Sequence, residues 1–104
     1  MSTDDLARSF SGHHFEEAFP HLAEHIEWYL VGQTRLTGRD AVVEACRGTM
    51  AELADTRTTW LRFVSTGPGR TVAVDAVGRY DGPETEGSDV SAVSSCDVYE
   101  FDDA

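Results

Sequence analysis

Apolar residues recur along this chain first at helical spacing and later in alternation, and that change of period divides it into two halves. Leu6, Ala7 and Phe10 share one helical face, and Ser2 and Asp5 ahead of them are spaced as a capping box. The acid also suits the positive end of the helix. Gly12 interrupts, and Phe15, Ala18, Phe19 and Leu22 resume the stripe. Pro20 opens a turn better than it fills a helix interior, so the pattern predicts two short helices with a bend between them. Over residues 25–31, Ile26, Trp28 and Leu30 alternate with Glu27, Tyr29 and Val31, which predicts a strand. Gly32 and Gln33 turn the chain into a short return through Arg35 and Leu36. A third helix is predicted over 40–54, with Val42, Cys46, Met50 and Leu53 inside and Glu44, Arg47 and Glu52 on its wet side.

Alternation then takes over. Residues 58–66 read as a strand ending at the turn Gly67-Pro68-Gly69. Residues 71–80 form the next strand, 81–89 an acidic loop with Gly82, Pro83 and Gly87, and 90–101 the last strand. Three long strands joined by short loops predict an antiparallel meander. The fold class expected is α+β, a curved antiparallel or mixed sheet wrapped on about three helices, in one domain over residues 1–104.

The 104 residues suffice for one core, and 40% apolar content with ten aromatic rings argues against disorder. The net charge of -11 speaks against nucleic acid and anionic membrane surfaces, both of which call for a basic patch. No apolar run nears the ~20 residues of a membrane span, and Met1-Ser2-Thr3-Asp4-Asp5 has no signal-peptide character. A cytoplasmic location is expected. Cys46 and Cys96 are too few for a disulfide framework and read as small buried hydrophobes. Lysine and asparagine are absent and Ile26 is the sole isoleucine, as in a high-GC bacterial genome; halophilic adaptation is the alternative source of the acidity.

Three segments carry a family likeness. Phe19-Pro20-His21-Leu22-Ala23-Glu24-His25-Ile26-Glu27-Trp28 runs from helix into strand, Leu36-Thr37-Gly38-Arg39-Asp40-Ala41-Val42 opens a helix at a glycine, and Cys96-Asp97-Val98-Tyr99-Glu100-Phe101-Asp102-Asp103 is an acid-and-aromatic strand. In this order the chain resembles the SnoaL-like branch of the nuclear-transport-factor-2-like superfamily, a cone-shaped α+β fold. The resemblance implies a further closing strand after the point where this chain stops, and homodimers formed through a sheet face.

Asp97 is the leading chemical candidate. Alternation places it with Val93, Ser95, Tyr99 and Phe101. Desolvation there would favour its protonated form, suiting a proton donor. Ketosteroid isomerases, which share the fold, use an acid at the matching strand position as hydrogen-bond donor to an oxyanion. Tyr29 stands where that enzyme has its general base, and the first helix offers Ser9 and Phe10 but no tyrosine, so steroid isomerisation is not expected. Trp28, Trp60, Tyr80 and Tyr99 are pocket-lining candidates, although strand aromatics are ordinarily plain core. His14 is a candidate pocket base. His21 and His25 have the i,i+4 spacing of metal ligands, but the change from helix to strand between them spoils that geometry. Gly67-Pro68-Gly69 matches no phosphate cradle, so neither metal nor cofactor is expected.

These residues predict a pocket for a small apolar or aromatic molecule, with proton-transfer chemistry of isomerase, cyclase or dehydratase type at Asp97. The alternative is a non-catalytic ligand-binding or dimerisation module. Thr58, Trp60, Arg62 and Val64, with Val72, Val74 and Ala76, are expected on the sheet face turned from the helices. That face would be too apolar to stand uncovered, which predicts a homodimer.

Overall fold

The capping box forms as its spacing requires: the Asp5 amide donates to Ser2 Oγ at 3.1 Å and the Ser2 amide to Asp5 Oδ2 at 3.0 Å. Such a cap stabilises a helix start by about 1 kcal/mol. A computed structural model describes residues 1–82 and 92–102. Helix α1 spans Thr3–Ser11 and α2 spans Phe15–Ala18, followed by a 3-10 turn over Phe19–His21 with Pro20 in its first turn. Strands β1 (Glu27–Leu30) and β2 (Thr34–Thr37) make a hairpin, α3 covers Arg39–Glu52, and β3 (Arg57–Ser65), β4 (Thr71–Asp81) and β5 (Ala92–Glu100) follow. Among the described residues no helix is long and apolar enough to cross a membrane.

The expected meander is present as an antiparallel sheet in the order β3-β4-β5, and β1-β2 forms a separate two-stranded sheet. β5 is therefore an edge strand among the described residues. The first strand is shorter than expected, because Ile26 leaves the ladder and its carbonyl instead accepts from the Gly38 amide at 2.8 Å. The expected acidic loop and the start of the last strand fall largely outside the described residues.

Register decides which residues face the helices. Val72 pairs with Tyr99, Val74 with Asp97 and Ala76 with Ser95, so these share one face. Val72, Val74 and Ala76 are buried there, with Ala7 of α1 against the two valines. This corrects the expectation that the three lie on the outer face. Period two ties Tyr80 to Val72, Val74 and Ala76, so a pocket containing Tyr80 carries the whole row inward. The other row, Thr71, Ala73, Asp75, Val77 and Arg79, carries the charges and cannot be the core side.

A second correction concerns β3. Its register slips between Trp60 and Arg62, where a bulge gives β3 one extra residue against β4. Thr58 and Trp60 stay on the inner face, but beyond the bulge Phe63 and Ser65 succeed them, and Arg62 and Val64 turn outward. Simple alternation placed all four expected residues together; one inserted residue splits them.

Two apolar clusters result. Ala7, Val72 and Val74 gather Phe63, Tyr99 and Phe101. Phe15, Val42 and Cys46 gather Phe10, Phe19, Leu22, Ile26, Trp28 and Leu36. Each valine buried this fully contributes roughly 1.5–3 kcal/mol. Phe10 joins the clusters, its ring 5.0 Å from Phe15, 5.3 Å from Trp28 and 5.9 Å from Tyr99, all edge to face. The expected inner stripe of α3 ends early: Val42 and Cys46 are buried, but Met50 is exposed. Of the cysteines, Cys46 is buried as expected and its thiol is pushed by burial up to about 11. Cys96 is exposed on the outer face, contrary to expectation.

Candidate functional site

The inner face of the sheet brings one carboxylate up to the end of α1. Asp97 lies beside Val74 on β5, and Ser11 closes α1 one turn after Ala7, on the same helical face. Ser11, 7% exposed, donates its hydroxyl to Asp97 Oδ2 at 2.8 Å. The Ser11 and Tyr99 hydroxyls lie 2.5 Å apart. With the Ser11 proton committed to Asp97, the order of donation is Tyr99 to Ser11 to Asp97. Burial and the nearby carboxylate push the Tyr99 phenol well above its ordinary value of 10.0, while the Ser11 bond opposes them. It stays protonated, as the head of this chain must. Among the described residues Asp97 has no ion-pair partner, and its Oδ1 makes no hydrogen bond.

The chain then turns in an unusual way. Past α1, the His13 amide donates to the Phe10 carbonyl at 3.1 Å and the His14 amide to the Ser9 carbonyl at 2.8 Å. Such helix ends place one residue in the left-handed region, normally glycine. Here Gly12 has φ -82° and His13 has φ +68°. A side chain in that region costs about 1–2 kcal/mol. The imidazole it carries is aimed at the sheet, with ring centres 5.5 Å from Phe15, 5.5 Å from Trp60 and 6.1 Å from Tyr80. Loss of hydration lowers the His13 pKa below 6.5; the Asp97 carboxylate acts against that, and His14 adds slightly to it. His13 is thus neutral at pH 7.

Trp60 and Tyr80 complete the surroundings, their rings 6.4 Å apart and edge to face. Gly78 makes their approach possible. A Cβ on it would stand 2.9 Å from the Trp60 ring and 3.1 Å from the Tyr80 hydroxyl. Burial first, and Asp97 second, raise the Tyr80 pKa above 10.0.

Of the expected site residues, Asp97 and Tyr99 are hydrogen-bonded through Ser11, and Trp60 and Tyr80 stand around His13. Trp28 lies one ring away, behind Phe10 in the second apolar cluster. His14 is exposed at the start of α2 and makes no capping bond, so the histidine turned toward the sheet is its neighbour. Tyr29 is exposed and donates to Glu27 Oε2 at 2.9 Å, away from Asp97. Ser11 and His13 escaped sequence reasoning. The i,i+4 relation of Ser11 to Ala7 was a usable signal for the first; for the second the sequence carried none, because a left-handed histidine beside a glycine runs against backbone preference. Among the described residues no group of His, Cys, Asp and Glu is arranged to hold a metal.

Two surface hollows stand apart from this cluster. One of about 250 Å³ is lined by Arg70, Thr71, Glu100, Phe101 and Asp102, and one of about 400 Å³ by Glu24, Gly38, Arg39 and their neighbours. Neither includes Asp97 or its rings. Both are polar clefts beside chain turns, unlike the mostly apolar sites that take small organic molecules.

A family model for the SnoaL-like domain matches residues 4–104. The chain belongs to the SnoaL-like family. Its fold recurs in an NTF2-like protein of unknown function from Cytophaga hutchinsonii ATCC 33406, at 22% identity and a TM-score of 0.75, over 94% of this chain and 83% of that one. It recurs also in a candidate polyketide cyclase from Xanthomonas campestris pv. campestris, at 20% identity and a TM-score of 0.55, over 89% of this chain and 68% of that one. At these identities the likeness establishes the fold. No functionally curated protein matches the chain. Within this SnoaL-like domain, the α1 end and the β5 acid form the polar focus of an otherwise apolar interior.

Proposed function

We propose that this SnoaL-like domain binds a small apolar or aromatic molecule between the end of α1 and the inner face of β3-β4-β5, and moves a proton on it through Asp97. The observation that carries this reading is the Tyr99–Ser11–Asp97 chain. It occupies Oδ2 and orients the carboxyl group, leaving Oδ1 for a ligand. Trp60, Tyr80 and Tyr99 supply the apolar wall, and the ligand enters by parting these rings. The likeness to a candidate polyketide cyclase supports isomerase, cyclase or dehydratase chemistry, which needs one or two positioned groups rather than a cofactor.

The test uses 2-tetralone, a planar ketone with acidic hydrogens beside its carbonyl. Amide shifts should map its binding to the α1 end and β5, and in heavy water the protein should speed deuterium uptake at that carbon. Asp97→Asn should keep binding and lose the acceleration. Binding without acceleration would leave a non-catalytic binding module, and no binding at the inner face would remove the pocket reading altogether.

A homodimer through the outer face belongs to the same proposal. Leu61, Val64 and Val98 are exposed there, and a second copy would cover them. Light scattering at micromolar concentration should give twice 11.4 kDa; a monomer mass would reject it.

A further inference from the structure

We propose that the His13 imidazole is a built-in occupant of the ligand site: it fills the ring-sized place between Phe15, Trp60 and Tyr80, and a flat aromatic ligand binds there by displacing it. This rests on the inner-face pocket proposed above and assigns the place of the ligand's ring and the event that frees it.

The chain fills that place itself. Centre to centre, the His13 ring lies 5.5 Å from Phe15 of α2, 5.5 Å from Trp60 of β3 and 6.1 Å from Tyr80 of β4. Aromatic side chains converging from separate elements on one flat ring are what a pocket offers a flat ligand. Neither surface hollow reaches these residues, so a ligand's way in is through the place the imidazole holds.

The turn that carries His13 is suited to move. At φ +68° the residue holds a left-handed backbone that side chains adopt at a cost, and rotation to the extended region removes that cost. Gly12 beside it absorbs the change of direction. Two amide bonds close the turn, from His13 to the Phe10 carbonyl and from His14 to the Ser9 carbonyl, and water replaces both on opening. The elements on either side are anchored separately. Ala7 packs on Val72 and Val74, Ser11 bonds Asp97, and Phe15 packs on Val42 and Cys46. The imidazole therefore leaves without unseating α1 or α2.

Protonation works the same device. Phe15 and Trp60 do not ionise, Tyr80 faces the ring as a phenol, and Asp97 of β5 and His14 act on it through their charge. Loss of hydration lowers the packed His13 pKa below 6.5 although Asp97 opposes it, and His14 adds to the lowering. A released, hydrated ring titrates at the ordinary value of 6.5. Acid thus favours release. As pH falls from 6.5 through the packed value, the place empties and a neutral ligand meets less competition. By reciprocity, a bound ligand returns His13 to its ordinary pKa.

Indole, flat and uncharged between about pH 5 and 8, is the probe. In the intact chain its affinity, followed by amide shifts of β4 and β5, should rise as pH falls across that range. Bound indole should abolish the nuclear Overhauser contacts of His13 with the Trp60 and Tyr80 rings and bring its titration back toward 6.5. His13→Gly and His13→Asn both accept a left-handed backbone, so the fold should persist in each by circular dichroism. With the occupant gone, both should bind indole at least about ten-fold more tightly than the intact chain near pH 8, and neither should show the pH dependence. Equal affinity in the intact chain and both variants, with the His13 contacts kept, would overturn the displacement and leave the inner-face pocket standing. An affinity of the intact chain that ignores pH would overturn it as well. No binding to either variant would overturn the displacement and the pocket together.

Discussion

Asp75 and Asp97 sit on adjacent strands, one residue out of step, and face opposite sides of the same sheet. Asp75 points outward and pairs with Arg62 Nε at 2.6 Å, both about half exposed. Asp97 points inward and accepts the hydroxyl of a buried serine, with no cation beside it among the described residues. The outer acid is of a kind whose removal is felt little, because water and salt already solvate it. The inner acid is held by one neutral donor, the Ser11 hydroxyl, in a setting where a polar group without a partner is costly. Strand parity alone separates these two environments. The charge of a residue says little about its use until the face is known.

The largest break of this comparison is a charge moved across the sheet. Val74→Asp should cost about 4 kcal/mol or more, enough to unfold the domain in thermal melts, because it buries an unpaired carboxylate. Val98→Asp, on the outer face, should leave the fold of each copy within about 0.5 kcal/mol and act instead on the proposed dimer, which it should weaken. Equal losses would mean that the faces are wrongly assigned.

Next comes the crowding around Gly78. Gly78→Ala should destabilise by about 1–3 kcal/mol in urea unfolding and change the tryptophan emission, since its methyl would press on the Trp60 ring. Gly48→Ala, in α3 with open space around it, should stabilise by about 0.5–1 kcal/mol. The same change thus takes opposite signs in the two places.

Ser11→Ala sharpens the contrast between the acids. It leaves Asp97 and Tyr99 without their shared partner and should cost about 1–3 kcal/mol. Asp75→Asn should cost less than about 1 kcal/mol, and still less at high salt. Denaturation midpoints of the two variants, measured side by side, decide this.

The smallest effects are those of pH. Folding lowers the His13 pKa, so its contribution is present above 6.5 and lost as pH falls through the folded value. That loss should start from the same unfolded value but continue to lower pH, and so run deeper, in Asp97→Asn, where the opposing carboxylate is gone. Folding raises the Tyr99 pKa, so its contribution is intact below 10.0 and lost as pH rises through the folded value. Midpoints of unfolding measured from pH 5 to 11 should fall at both ends, and Tyr99→Phe should flatten the alkaline fall.

Much of this architecture was legible in residue order. The capping box, the two short helices, α3 and the three-stranded meander all follow from spacing, because local hydrogen bonding and the burial of one face are short-range demands. Asp97 and Tyr99 were brought onto one face by alternation within a single strand, where no insertion disturbs the count. The limits appear where a single residue shifts the phase. The bulge after Trp60 sent Arg62 and Val64 outward, and the helix end that Gly12 marks takes its left-handed turn at His13. Neither is set by nearest neighbours. Each depends on what the segment must pack against, Gly78 and Tyr80 for Trp60, the inner sheet face for His13. The sequence by itself therefore determined the elements, their order and the partners available. Only the tertiary structure decided that a serine 86 residues distant in the chain would meet Asp97 and that the histidine beside Gly12 would turn inward, because contacts across such separations exist only once α1 lies on β4.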